Sequence, residues 1–174
     1  TVTATANGFA TTTRKGLHVN LQQRIEADVQ LTVGASSQQV EVTAAAPVLQ
    51  TQSAAVGQSY SAATINDTPL NGRNYVYIAQ LSAGVVPDGG SRGGGTGDFT
   101  ANGQSNTQNN FMLNGVDNNT SVVDYLNQAS YTVLPPPDAL AEFRVQTAEY
   151  SAEFGHSAGA VVNASVKSGT NQLH

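Results

Sequence analysis

Thr68-Pro69-Leu70-Asn71-Gly72-Arg73-Asn74 and Phe111-Met112-Leu113-Asn114-Gly115-Val116-Asp117-Asn118-Asn119 are the two stretches whose reading decides the fold. Each runs an apolar anchor, Leu70 or Leu113, into an Asn-Gly pair and then a charged residue. Asn and Gly accept the left-handed backbone that tight turns demand, so both stretches read as corners between regular elements. Asn71, Gly72, Asn114, Gly115 and Asp117 are therefore the candidate fold-defining turn residues. Between the corners, Pro87 to Gly97 is glycine-rich, offers almost nothing to bury, and reads as a flexible loop.

Composition limits what the corners can serve. Charged residues make up 11% of the 174 residues and aromatics 6%, with no cysteine or tryptophan. The excess of Gly, Ala, Ser, Thr, Asn and Val favours short strands and turns over long helices. A net charge of -5 with scattered basic residues excludes a nucleic-acid partner, because phosphate binding needs clustered Lys and Arg. Disulfides and thiolate metal sites are excluded outright. No run of about 18 apolar residues occurs, and no signal peptide is read. The chain opens directly on Thr1-Val2-Thr3-Ala4-Thr5-Ala6, a strand without a lead-in, which reads as a fragment or processed product.

Before the first corner the pattern is β. Val2 to Ala6 is a strand closed by the Asn7-Gly8 turn, Leu17 to Leu21 alternates, and Ile25 to Val33 continues a period of two. Three strands fall short of the roughly seven of a sandwich, so residues 1–34 form a partial all-β unit that something must cover. Residues 35–38 read as a linker, and Gln39-Val40-Glu41-Val42-Thr43 as the first strand of a second domain spanning 39–174. There, Ser61 to Ile65 suits one helical turn, and Arg73 to Leu81 a helix with Asn71 as N-cap and Gly84 as its stop. Phe99–Asn102 and Asn110–Leu113 read as strands meeting around Asn102-Gly103. Phe143–Thr147 and Ala160–Val166 are further strands, and Pro135-Pro136-Pro137 is a stiff spacer. The fold class is α+β, a small mixed sheet with short helices and long loops.

Chemical motifs fail on their partners. Gly155-His156-Ser157-Ala158-Gly159 fits the nucleophile-elbow pattern, but strand-like sequence follows Ser157, no Asp or Glu comes later, and the only later histidine is His174. The run Gly93–Gly97 lacks dinucleotide spacing, and Lys167-Ser168 lacks the glycine a phosphate loop needs. Gly94-Gly95-Thr96-Gly97-Asp98 comes near a calcium nonapeptide with its aspartate one place early. His18, His156 and His174 have no neighbours at metal-ligand spacing. Glu142, Glu149 and Glu153 read as a solvated face. Asn118-Asn119-Thr120 and Asn163-Ala164-Ser165 match the glycosylation pattern, which arises readily in chains rich in Asn and Ser. No catalytic residue, metal or cofactor is expected.

Taken in order, Gln39–Val42, Pro69–Arg73, Gly84-Val85, Phe111–Asn118, Glu142–Val145 and Lys167-Ser168-Gly169-Thr170-Asn171 resemble the plug domain of TonB-dependent outer-membrane receptors, most closely the Oar-like branch. In that branch a carboxypeptidase-regulatory-like β-sandwich precedes the plug, and residues 1–34, with Asn7-Gly8-Phe9, resemble its last strands. The chain departs from the family at Asn114, where Asp is usual, and near Ser105, where many members carry Arg. No TonB box is found, and the barrel would begin just after Leu173-His174.

The resemblance implies a gate. A plug of this kind sits inside its own β-barrel in the outer membrane of a Gram-negative bacterium, with the sandwich unit periplasmic. A TonB-type energy transducer rearranges it to admit an imported ligand. Arg73, Arg92 and Arg144 are the candidate barrel or partner contacts, since Arg makes bidentate bonds to carboxylates. An alternative is structural: a released, extracellular fragment with open β edges that adds strands between copies into oligomers or filaments.

Overall fold

The computed structural model describes residues 1–17, 19–23, 25–34, 39–43, 53–87, 97–120, 130–169 and 171. The chain divides into two compact units, Thr1–Ser53 and Ala54–His174.

The first unit holds a three-stranded sheet. Strand β1 (Val2–Ala4) pairs antiparallel with β2 (Thr11–Lys15), which pairs in parallel with β3 (Gln39–Thr43) in the register Thr11↔Gln39 to Lys15↔Thr43. Asn7-Gly8 turns the chain between β1 and β2, with Gly8 at φ 83 and the Phe9 amide donating to Ala6 O. The strand at 39–43 thus pairs within the N-terminal sheet, and the compact units divide between Ser53 and Ala54. The strands expected at Leu17–Leu21 and Ile25–Val33 are absent among the described residues. Instead Gln23 closes a turn onto Asn20 O, Gln22 sits at φ 57, and Val33 makes one isolated bridge to Phe9. Alternation predicts a strand only where one face becomes buried, and Val19 and Val33 stay 65% and 85% exposed.

The second unit is built on a five-stranded sheet of order β4-β9-β10-β7-β8: β4 (Val56–Ser61), β7 (Asn110–Leu113), β8 (Val116–Asp117), β9 (Leu140–Ala148) and β10 (Val161–Val166). Only β10 and β7 run parallel. A separate ribbon pairs β5 (Val85–Pro87) with β6 (Phe99–Ala101). Phe99–Ala101 was expected to meet Asn110–Leu113 across Asn102-Gly103. That pair does form a turn, but it returns the chain only to Gln104, and β7 lies beside β10 instead. The 3₁₀ turn Asn106–Gln108 separates the two strands.

After β4 the chain enters helix α1 (Ala62–Asp67), where the Ser61 hydroxyl accepts from Thr64 N. Thr68 ends it, held extended by the following Pro69, with its hydroxyl donating to Thr64 O at 2.6 Å. The predicted helix from Arg73 begins later and is tighter. Gly72 at φ 60 and Arg73 at φ 56 cannot continue a right-handed turn, so a 3₁₀ segment starts at Tyr75 and runs to Leu81. Its N-cap is Asn74, whose Oδ1 accepts from Val76 N at 2.9 Å, and not Asn71.

The core of this unit packs against one face of the sheet. Phe143 stacks on Tyr60 at 6.1 Å and meets Tyr75 edge-on at 5.0 Å. Phe111 meets both Phe99, at 6.1 Å, and Tyr131, at 5.5 Å, edge-on. Ile65, Ile78, Val76, Leu140 and Val145 complete the apolar interior. Edge-on aromatic pairs add about 0.5–1.5 kcal/mol beyond the area they bury.

Candidate functional site

The two Asn-Gly corners meet the same strand end. At the first, Arg73 N donates to Leu70 O and Asn74 N to Asn71 O, closing the turn around the left-handed Gly72. Its side chain reaches across the chain, and Arg73 Nη2 donates to Asp138 Oδ2 in an ion pair. Both side chains are largely exposed, 66% and 72%. Asp138 lies in the 3₁₀ turn Pro137–Ala139 that leads into β9. From the far side, Lys167 Nζ donates to Asp138 O at 2.7 Å and Lys167 N to Ala139 O at 2.8 Å. An open cleft of about 210 Å³ lies beside the pair, walled by Ile65, Pro69, Leu70 and Pro137.

At the second corner Asn114 and Gly115 both take positive φ, 52 and 77, the backbone of a two-residue hairpin turn between β7 and β8. Asn114 Oδ1 accepts from Val166 N at 2.9 Å, and Asn114 N donates to Ala164 O. Gly115 N donates to Asn163 Oδ1 at 3.3 Å. The corner is thereby pinned to β10 through Asn163, Ala164 and Val166. One corner holds Val166 and the other reaches Lys167 through Asp138, so both converge on the C-terminal end of β10. Asp117 closes a local turn, its Oδ1 accepting from Asn119 N and Asn119 Nδ2, both at 2.8 Å.

The three arginines separate. Arg73 has its acid within this chain. Arg144 lies in β9 opposite Ser59 and Asn163 and is 3% exposed. Burial pushes its guanidinium below the usual arginine range, opposed by the Glu142 carboxylate. Arg92 lies outside the described residues.

The sequence reading missed the asparagines that work as backbone substitutes. Asn109 Nδ2 donates to Phe99 O at 2.7 Å while its Oδ1 accepts from Ala160 N at 2.9 Å, joining β6 to the start of β10. Asn118 does the same with one residue, its Nδ2 donating to Val133 O and its Oδ1 accepting from Val133 N. Asn74 caps the 3₁₀ segment and donates to Tyr131 Oη at 2.9 Å. Asn110, Asn102 and Asn119 tie further loops to strands. Each amide supplies one donor and one acceptor in peptide-like geometry, which lets irregular backbone be buried without orphaned groups. Close glycines make room: a Cβ on Gly159 would stand 2.4 Å from Asn109 Oδ1, and one on Gly84 2.5 Å from Asn102 Oδ1. The only sequence trace was the abundance of Asn, which turns explain equally well.

Burial also shapes two phenols. Tyr75 is pushed well above the usual tyrosine range, first by burial and then by Tyr131. Tyr131 is pushed up to about 12 by burial, with Asp98 and Tyr77 adding to the rise and the Asn74 bond opposing it.

The elbow-like motif is a loop clamp. His156 sits at φ 65, and the segment feeds β10 without any helix. Ser157 Oγ lies 3.1 Å from Gln108 O and 3.2 Å from Ala160 O, so its proton is committed to backbone carbonyls. Both glycosylation triplets carry asparagines that are buried in the fold, Asn118 and Asn163.

A family model described as the TonB-dependent Receptor Plug Domain matches residues 48–162. A curated relative, the TonB-dependent transporter Oar of Myxococcus xanthus, is 22% identical over 169 residues, covering 92% of this chain and 15% of that protein. Among solved structures, the siderophore receptor PirA from Acinetobacter baumannii aligns with a TM-score of 0.55 and 21% identity, over 70% of this chain and 18% of that one. The outer membrane transporter YddB from Escherichia coli aligns at 0.53 and 17%, over 65% and 17%. At these identities the structural likeness speaks to the fold. The chain spans about 15% of the length of the curated relative it matches.

Proposed function

We infer that this chain, which belongs to the TonB-dependent receptor plug domain family, is the non-catalytic gate of an outer-membrane transporter, held in a β-barrel of the same longer protein. The observation that carries the reading is the family match over 48–162, most of which falls within the second compact unit, Ala54–His174. The site chemistry agrees with it. Amide clamps fill the unit where a catalyst would need a free nucleophile and base, and the one elbow-like serine is tied to backbone carbonyls.

A gate has to be held and released. Exposed ion pairs contribute little to stability, about 0–1 kcal/mol, and exchange partners readily. Arg73, paired with Asp138 at the surface, is suited to trade that carboxylate for one on a barrel wall. The convergence of both corners on Val166 and Lys167 supports reading the end of β10 as a mechanical junction in the longer protein. A TonB-type transducer supplies the energy in this reading, and the imported ligand is left open. PirA is described as a siderophore receptor, which makes siderophores one class to screen.

We read the N-terminal unit as the periplasmic end of a carboxypeptidase-regulatory-like domain, its extent now including the strand at 39–43. The self-assembling fragment is set aside, because the relatives matched are transporters and receptors and no described contact favours it. The test is uptake by the longer protein in cells with and without TonB. Removing residues 54–162 abolishes TonB-dependent uptake; uptake that is unchanged, and still needs TonB, overturns the reading.

A further inference from the structure

The chain contains four Asn-Gly pairs, at Asn7, Asn71, Asn102 and Asn114. Such pairs are where an asparagine side chain can cyclise. The following amide nitrogen attacks Cγ, a C–N bond forms, and the side-chain nitrogen leaves as ammonia with the displaced proton. Water then opens the succinimide at either carbonyl to give aspartate or isoaspartate. Glycine at the second position leaves the attacking nitrogen unobstructed. The reaction needs the carboxamide free to swing and the glycine N–H free to approach it.

The fold divides the four pairs. Asn102 and Asn114 are held: each lies at φ 52, Asn102 Nδ2 donates to Thr147 O at 2.7 Å, and Asn114 Oδ1 accepts from Val166 N at 2.9 Å. The Gly115 N–H is also occupied, by Asn163 Oδ1. All four asparagines are exposed, so exposure does not distinguish them. Hydrogen bonding does. The side chains of Asn7 and Asn71 and the amides of Gly8 and Gly72 have no hydrogen-bond partner among the described residues. All four following glycines have open space on their side-chain face, so steric room does not distinguish the pairs either.

We propose that Asn71 and Asn7 are sites of spontaneous deamidation in the folded protein, and that Asn102 and Asn114 are protected by their clamps. Asn71 is the consequential one. Its product places a carboxylate two residues from Arg73, in competition with Asp138, at the corner where the exposed ion pair forms. The proposal stands independently of any transport role.

The experiment incubates the intact folded chain at mildly alkaline pH and follows each pair by peptide mapping, using fragmentation that separates aspartate from isoaspartate. Asn71 and Asn7 exchange NH for O at least about tenfold faster than Asn102 and Asn114, the factor expected from one partly buried hydrogen bond. The same chain in denaturant is the control, and there all four pairs react at similar rates. Equal rates in the folded chain, or a rate order in denaturant identical to the folded one, overturn the proposal.

Discussion

Arg73 and Asp138, sixty-five residues apart in sequence, form an ion pair on the surface, while Lys167 grips the backbone of the same aspartate from the other side. The guanidinium therefore has a partner inside the chain, although the resemblance alone pointed outside it. Because the pair is exposed, Arg73→Ala changes the unfolding free energy of the isolated chain by less than about 1 kcal/mol in a urea titration. In the longer protein the same substitution lowers TonB-dependent uptake several-fold, and Asp138→Asn does not. Equal effects of the two substitutions on uptake would confine Arg73 to its intrachain role.

Asn109 bonds two buried backbone groups, so truncating it orphans both. Asn109→Ala destabilises the chain by about 2–6 kcal/mol, taking about 1–3 kcal/mol for each of the two buried groups left unpaired. Gly159→Ala presses a methyl onto the same amide oxygen and is also destabilising. With Asn109 already removed, that clash has no target, and the double variant costs clearly less than the sum of the singles. Additive values in the double-mutant cycle would show that the two sites do not share this contact.

Phe143 is fully buried between two tyrosines. Phe143→Ala costs about 3–5 kcal/mol in the same titration, and Phe143→Leu, which keeps most of the volume, markedly less.

The two buried phenols give the fold an alkaline limit. Burial pushes the Tyr131 phenol from the ordinary tyrosine value of 10.0 up to about 12, and shifts Tyr75 in the same direction. Above about pH 10 the unfolded chain sheds these protons while the folded chain retains them, so stability is full below pH 10 and falls as pH rises through the folded values. Thermal melts from pH 9 to 12 show this decline, and Tyr131→Phe makes it shallower. A Tyr131→Phe variant with an unchanged slope would assign the decline to other groups.

In the folded chain Asn118 and Asn163 are closed to glycan transfer. Asn118 has both side-chain atoms bonded to Val133, and Asn163 lies within the central strand β10. Intact-mass measurement after the purified folded chain is incubated with an oligosaccharyltransferase and its lipid-linked donor shows no glycan at either position, whereas the unfolded chain accepts it.

What was legible in the sequence followed local rules. The Asn114-Gly115 hairpin turn, the helical turn at Ser61–Ile65 before Pro69 and the strands at 143–147 and 160–166 are each dictated by neighbours within a few residues, and each is present. Failures came where a partner far along the chain decided the outcome. Gln39–Thr43 reads as a strand from its own pattern, but which sheet receives it depends on Thr11–Lys15. Phe99–Ala101 chose Val85–Pro87 over the nearer Asn110–Leu113, because β10 already flanks the latter. The amide clamps were illegible for the same reason. An asparagine that bridges Phe99 to Ala160 looks, in sequence, like any turn asparagine.

The strand order carries a consequence for how the protein is made. β9 and β10 occupy the middle of the five-stranded sheet, yet they are the last of its strands to leave the ribosome. β4 and β7 emerge earlier and have no central neighbour to join until β9 and β10 arrive, so the nascent chain must wait without its sheet. Contacts this distant in sequence close slowly. A waiting chain exposes what it will later bury, and here that includes carboxamides as well as hydrocarbon. Asparagines that later seal the interior are, until then, well hydrated by water, which lessens the pull toward aggregation during the delay.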